Sequence, residues 1–382
     1  MNISNQHNTK KKKIVFLTGT RADFGKLKNI IKKLSLHDNF IIEIFVTGMH
    51  MLSKYGYTCE EVEALGIGNV YKFVNQSMGD SMDSILGKTI IGFGDYVREI
   101  SPDMIIVHGD RLEALAGASV GAMNNIITSH IEGGEVSGTI DEMIRHSVSK
   151  LSHLHFVSND QARKRLIKMG ESKSSIYVIG SPDIDIMNSS NLPSISEVKN
   201  YYSIPFKKYA IAAYHPVTSE IDKLDHNVSM FVGALLDSKG NYVVIYPNND
   251  KGSETILREY SKLEMKDNIK IFPSMRFEYF LTLLKNTEYI IGNSSAGIRE
   301  APHYGVKSID IGTRQKNRSK ASTIISCGDS RNDVSQAILS INQIESAVTS
   351  EFGDGNSASL FCDIVNQNEI WSIDIQKYFV DN

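Results

Sequence analysis

Short apolar runs separated by stretches of helical period set the pattern of this chain. Residues 14–17, 41–46, 104–107, 126–128, 154–157 and 176–179 read as buried strands. Between them apolar positions recur at helical spacing, as at Leu27, Ile30, Ile31 and Leu34, which fall on one face at i, i+3, i+4 and i+7. That alternation predicts βαβ units and a parallel sheet. After a linker-like patch at 188–196 the pattern resumes, with strands expected at 209–213, 242–246, 269–272, 289–291 and 308–311. The chain therefore reads as two α/β halves, 13–183 and 205–365, each a parallel sheet with helices between its strands, with a ligand expected between them. No short repeat marks the doubling, which lies in architecture rather than in aligned residues.

A length of 382 residues exceeds one ordinary core and agrees with two domains of roughly 150 to 200 residues. A net charge of −3 gives no footprint for nucleic acid, and no apolar run approaches the ~20 residues of a membrane span. The Lys10–Lys13 run follows a polar start rich in Asn and Gln and is expected to be a solvated arm, with no apolar segment of a secretory signal behind it. Cys59, Cys327 and Cys362 are scattered, odd in number and without metal spacing, which fits a reducing cytoplasm and assigns them no role.

Chemistry concentrates after the strands. His130-Ile131-Glu132-Gly133-Gly134-Glu135, followed by Asp141-Glu142-Met143-Ile144-Arg145-His146, crowds acids and histidines between an apolar strand and an amphipathic helix, where open α/β sheets bind ligands. Asp141 and Glu142 would also complement a helix N-terminus. Asp110 and Arg111 follow the strand at 104–107, with Arg111 suited to phosphate and Asp110 to a sugar. Gly19-Thr20-Arg21-Ala22-Asp23 opens the first helix, where backbone N–H groups and an arginine can hold an anion, although Thr20 and Asp23 also suit a structural cap.

In the second half Gly292-Asn293-Ser294-Ser295-Ala296-Gly297 leads into a helix expected to run through Glu300. Ser294 and Ser295 can donate to phosphate, small residues such as Gly297 let a ligand approach, and Glu300 can accept two ribose hydroxyls. With Arg314 after the last strand, the two halves suggest a nucleoside diphosphate clamped across a cleft. His215, at the end of the first strand of the second half, is placed as a general acid across from the carboxylates. Gly87-Lys88-Thr89 lacks the preceding glycine of a P-loop, and no G-x-G-x-x-G follows a strand, which weakens hydride transfer through a dinucleotide. The x-spaced pairs at His108, His130 and His153 lack metalloenzyme spacing, and His153 and His155 are read as structural.

These motifs, together with Val46-Thr47-Gly48-Met49-His50, Ile144-Arg145-His146, Ile245-Tyr246-Pro247-Asn248-Asn249-Asp250 and Gly312-Thr313-Arg314-Gln315, resemble over nearly the whole chain the UDP-N-acetylglucosamine 2-epimerases, specifically the hydrolysing branch of bacterial sialic acid and surface polysaccharide synthesis. The resemblance implies a GT-B fold of two Rossmann-like doubly wound halves, with a C-terminal helix near Trp371–Tyr378, within residues 366–382, crossing back onto the first half. It implies catalytic Asp110, Glu132, Asp141 and His215, and nucleotide contacts from Arg21, Arg111, Ser294, Ser295, Glu300 and Arg314. A homodimer is implied by the likeness alone. Gly25 stands where some relatives have serine, so a side-chain contact there is replaced or lost. The non-hydrolysing branch usually has threonine at the position of Arg111 and arginine at that of Pro216, so both positions favour hydrolysis.

The implied reaction needs carboxylates but neither NAD nor a metal. The C2 hydrogen of the sugar becomes acidic only as the C1–UDP bond stretches toward an oxocarbenium ion; a carboxylate then removes it while arginines stabilise the departing diphosphate. Water adds to the resulting 2-acetamidoglucal to give N-acetylmannosamine. UDP-2,4-diacetamido-2,4,6-trideoxy-glucose is the alternative substrate. A GT-B UDP-sugar glycosyltransferase and a non-catalytic UDP-sugar sensor are the alternative functions.

Overall fold

Residues 11–77, 79–137 and 139–381 are described in a computed structural model; the arm expected at residues 1–10 lies outside them, as does Asn382. The first half is one parallel sheet of β1 (Lys12–Thr18), β2 (Phe40–Val46), β3 (Asn69–Lys72), β4 (Met104–His108), β5 (Ile127–Ile131), β6 (Leu154–Val157) and β7 (Ile176–Val178), in the order β3-β2-β1-β4-β5-β6-β7. The second is β8 (Ala210–Ala213), β9 (Tyr242–Ile245), β10 (Ile269–Phe272), β11 (Tyr289–Gly292), β12 (Lys307–Ile311) and β13 (Ile324–Cys327), in the order β10-β9-β8-β11-β12-β13. Both sheets reverse strand order once, between β1 and β4 and between β8 and β11, so loops diverge there and leave a crevice at the carboxyl ends. The two crevices face each other in a GT-B arrangement.

The helix Arg21–Leu34 shows why the elements form. Thr20 caps it in a reciprocal box with Asp23, and Leu27, Ile30, Ile31 and Leu34 are fully buried on one face, each stabilising the fold by roughly 1.5–3 kcal/mol. Three expectations need correction. Strands β3 and β13 were not expected; their apolar stretches are only two residues long, and they are short edge strands that form because β2 and β12 supply the pairing. Strand β5 extends to Ile131 through polar Ser129 and His130, which survive burial because their side chains are partnered: His130 Nδ1 lies 3.0 Å from Ser149 Oγ and Nε2 lies 2.8 Å from the Gly109 carbonyl. The Lys10–Lys13 run does not remain an arm, since Lys12 and Lys13 begin β1 and are tied to Asp103.

The C-terminal segment is likewise not the expected helix. The helix that packs on Arg21–Leu34 is Ser357–Val365, and residues 366–381 follow as a 3₁₀ turn, Asn368–Ser372, and an irregular strap. The strap nonetheless lies on the first half. Trp371 packs against Phe40, and Lys377 Nζ donates to the carbonyls of Ser149, Lys150 and Ser152 at the end of the helix Ile140–Leu151. Interactions that point outward to another element, rather than i→i+4 bonds, satisfy this segment, so its sequence has no helical period to show. Among the described residues no helix is long and apolar enough to cross a membrane.

Candidate active site

Between the halves lies a cleft of about 350 Å³. Its first wall is built from three strand exits. Arg21 stands at the start of the helix after β1, Asp110 and Arg111 follow β4, and Glu132 follows β5. Asp141 comes from the first turn of the helix Ile140–Leu151, one turn before Arg145, so that both side chains reach the cleft from the same helical face. The opposing wall carries His215 after β8, Ser294, Ser295 and Glu300 after β11, and Arg314 after β12. Gly297 does not line the cleft. It is buried beneath it, where a Cβ would stand 2.6 Å from Ser308 Oγ, so it serves the packing of the turn on β12. The helix expected through Glu300 is also broken into a 3₁₀ turn, Ser295–Gly297, and a short helix, Glu300–His303, with Arg299 as the joint between them.

Charges on the two walls meet directly. Arg314 Nη2 lies 3.1 Å from Asp141 Oδ2, Arg111 Nη2 donates to Asn249 Oδ1 at 2.7 Å, and Arg21 donates to Ser274 Oγ at 2.6 Å while gripping Glu61 through two nitrogens at 2.6 and 2.9 Å. Each of these arginines is thus held by polar partners at the rim rather than left to wander, the preorganisation an anion site requires. Arg314 Nε and Glu300 Oε2, by contrast, are buried with no hydrogen-bond partner among the described residues. A buried polar atom of this kind is costly unless a ligand completes it.

The carboxylates divide into different electrostatic states. Burial alone would raise the Asp110 carboxyl, but Arg145, with Arg318 and Arg314, overcomes this and holds it below its ordinary value. Arg145 Nη2 donates to Asp110 Oδ2 and is itself almost wholly buried. Asp141 goes the other way: burial and the neighbouring Asp110 charge raise it, against the opposing pull of Arg314. The surroundings thus push the two carboxyls in opposite directions, Asp110 toward the anion and Asp141 toward its proton.

Glu132 is in a third state. Its φ of 63° puts a non-glycine residue in the left-handed region, held there by its N–H on the Phe156 carbonyl at 2.9 Å and by Arg145 Nη1 on its own carbonyl at 2.5 Å. Its carboxylate accepts from Lys26, Arg299 and Ser181 and lies 3.2 Å from His108 Nε2. Burial opposes ionisation, but Arg299, Lys26 and His108 outweigh it and hold Glu132 well below the usual carboxylate range. An anion so heavily paired is a poor proton acceptor.

His215 stands across the cleft from the carboxylates, as its strand position implied. Burial, then the charges of Arg314 and Arg111, depress its pKa to about 3, and Nδ1 accepts the Asn248 backbone N–H at 3.1 Å. That bond assigns the remaining proton to Nε2. The ring is neutral, so it can donate a hydrogen bond to a ligand but holds no acidic proton at neutral pH.

Five residues were given no role from sequence. Lys26, Arg299 and Arg318 line the cleft as scattered basic residues with no motif of their own, and Arg145 was visible in Ile144-Arg145-His146 but given no role. Asn293 is the second-wall bolt: its side chain accepts from the His215 N–H at 2.6 Å and donates to the His215 carbonyl at 2.9 Å, while its own carbonyl accepts from Gln315 at 2.8 Å. The i+4 spacing from Asp141 could have flagged Arg145; nothing local announces Asn293.

Comparison with known proteins agrees with this architecture. Residues 32–366 match the model of the UDP-N-acetylglucosamine 2-epimerase family. The chain is 48% identical to a UDP-N-acetylglucosamine 2-epimerase of Neisseria meningitidis serogroup B, covering 97% of this chain and 99% of that protein. It is 32% identical to the UDP-N,N'-diacetylbacillosamine 2-epimerase (hydrolyzing) of Legionella pneumophila, over 82% of this chain and 84% of the relative. In fold it is similar to a crystal structure of a UDP-GlcNAc 2-epimerase from Neisseria meningitidis bound to UDP-GlcNAc, with a TM-score of 0.78 at 17% identity, covering 92% of this chain and 99% of the other. Sequence likeness over almost the full length, on a fold with both crevices intact, shows that the chain belongs to the UDP-N-acetylglucosamine 2-epimerase family.

Proposed function

We propose that the protein is a hydrolysing 2-epimerase that converts UDP-N-acetylglucosamine and water to N-acetylmannosamine and UDP. The observation that carries this reading is the pair of carboxyls, Asp110 and Asp141, that face the cleft beside the Arg314 rim and are biased in opposite directions by their surroundings. UDP lies on the second wall, with Ser294 and Ser295 on phosphate, Glu300 on the ribose hydroxyls and Arg314 on the diphosphate. As the C1–oxygen bond lengthens, its electrons leave with UDP, where Arg314 stabilises the growing charge. Ionised Asp110 takes the C2 proton, and the C2–H electrons form the double bond of 2-acetamidoglucal. Asp141, whose surroundings favour its proton, then delivers that proton to the other face of C2 while water bonds to C1 and gives up its own proton to solvent. Exchange with solvent returns both carboxyls to their starting states. The fixed Glu132 anion stabilises the oxocarbenium character at C1 without carrying a proton, and His215 donates Nε2–H to the substrate.

The much higher identity to the Neisseria enzyme favours the N-acetylglucosamine substrate over the diacetamido sugar named for the Legionella relative. Association with sialic acid synthesis, a capsule or another surface polysaccharide, and action as a homodimer are part of the same reading. A relative from Escherichia coli named polysialic acid biosynthesis protein P7, 30% identical over 88% of this chain, supports the pathway. Proton NMR of the purified protein with UDP-N-acetylglucosamine in heavy water tests the reaction. Expected are free UDP and N-acetylmannosamine carrying deuterium at C2. Epimerised sugar still attached to UDP would overturn hydrolysis, and turnover of only the diacetamido sugar would overturn the substrate.

A further inference from the structure

Two stretches of chain pass between the halves, and they touch. Gly180 and Gly353 meet backbone to backbone, at φ of 82° and 111°, so closely that a Cβ on Gly353 would stand 2.8 Å from the Gly180 Cα. The Ser181 N–H donates to the Phe352 carbonyl at 2.7 Å beside them. Hinges between domains are a few loop residues, and these two crossovers are the loops that join the halves. Arg299 packs against their point of contact. Its guanidinium carbon lies 4.6 Å from the centre of the Phe352 ring, and Nη2 donates to Ser181 Oγ at 2.5 Å.

The same guanidinium also reaches the cleft. Nη2 holds Glu132 Oε1 at 2.7 Å and Nη1 holds Glu135 Oε2, with the Arg299 side chain 3% exposed. Its chain neighbour is Glu300, the residue assigned to the ribose. A planar fork can meet two carboxylates and a hydroxyl at once, which a point charge cannot do.

We propose that Arg299 is a positioning residue that ties the crossover point to the Glu132 carboxylate, so that closing the halves over a nucleotide sugar and fixing that anion beside the sugar are one event. The inference rests on the proposed function but asks a separate question, because it concerns the rate at C2 per occupied site, whichever product is released. The bland alternative is an ion pair that serves only stability, whose removal would lower the folded fraction and nothing else.

Arg299→Lys keeps the charge and loses the fork. Deuterium entry at C2 of UDP-N-acetylglucosamine is measured for the full chain and divided by the concentration of UDP-binding sites from calorimetric titration. The expected loss in that normalised rate is on the order of a hundredfold, the penalty for a misplaced group of about 1 Å, while UDP affinity changes by no more than about threefold. Should Arg299→Lys fail to fold, Glu135→Gln decides, since it removes one anchor of the fork from outside the cleft lining; a loss of the same sign is expected. A wild-type rate per UDP-binding site in either folded variant overturns the proposal. Wild-type protein that exchanges C2 yet retains UDP on the sugar would refute hydrolysis and leave this comparison intact. Wild-type protein inert toward both candidate sugars would sink both.

Discussion

Replacing Asp110 by Asn is the sharpest test of the acid–base division, because the substitution keeps shape and removes charge. Its effect on stability follows from Arg145, whose side chain is 3% exposed and whose Nη2 donates to the Asp110 carboxylate. Stripping a buried pair of one partner outright costs about 3–5 kcal/mol. The amide oxygen of Asn still accepts from Arg145, however, and Arg145 Nη1 keeps its 2.5 Å bond to the Glu132 carbonyl. The loss should fall nearer the worth of the charge alone, about 1.5–2 kcal/mol, or a few degrees in Tm.

Turnover should fall far more. A positioned general base contributes typically 10²–10⁴-fold, so kcat for UDP release should drop by at least about a hundredfold, with UDP affinity nearly unchanged because the nucleotide sits on the other wall. The variant also alters Asp141. Asp110 is the second cause, after burial, of the raised Asp141 pKa. Asp141 acts protonated, so activity declines as pH rises through its pKa; with the Asp110 charge gone that pKa falls, and the alkaline limb of residual activity should move to lower pH. Asp110 acts ionised and its pKa is lowered, so the wild-type acid limb should lie below the ordinary carboxylate range. Stopped assays of UDP release across pH, with calorimetric UDP titration, measure all of this. A folded Asp110→Asn variant within tenfold of wild-type kcat would remove Asp110 from the chemistry.

Arg314→Ala should act on both binding and protonation. Removing a charge-assisted bond to the diphosphate should weaken UDP by about 2 kcal/mol, or roughly thirtyfold. It also deletes the main charge that lowers Asp141, so the alkaline limb should move to higher pH, opposite to Asp110→Asn; unchanged UDP affinity in a titration would refute the role. Gly25→Ser tests the departure from relatives that carry serine. Its Cβ would stand 2.7 Å from Phe277 Cγ and 2.8 Å from Phe277 Cβ, near the base of a ring from the other half, where little can yield. Overpacking should cost about 1–3 kcal/mol and raise KM by pushing the walls apart; a variant with unaltered Tm and KM in thermal melts and steady-state assays would show that Phe277 moves freely.

Much of the molecule was legible along the chain. Apolar runs and helical periods mark most strands because each sheet is covered on both faces, and the strand exits after β1, β4, β5, β8, β11 and β12 carry the polar residues that now face one cleft. A crevice at a reversal of strand order collects such exits automatically, so residues as distant as Asp141 and Arg314 could be grouped before their contact was seen. The edge strands β3 and β13 were not legible, since pairing with a neighbour rather than burial makes them. The C-terminal strap hid for a related reason: Trp371 and Lys377 are satisfied by groups hundreds of residues away.

Residue type and position along the strands thus picked out many of the side chains that border the cleft, though not Lys26, Arg299 or Arg318. Only the tertiary structure decided what each is able to do there. Asp110, Glu132 and Asp141 are all acids in the sequence, yet Arg145 lowers the pKa of the first, Arg299 and Lys26 lock the second, and burial beside Asp110 raises the third. The balance between desolvation and neighbouring charge depends on separations of a few ångströms, and those separations are made by folding both halves together.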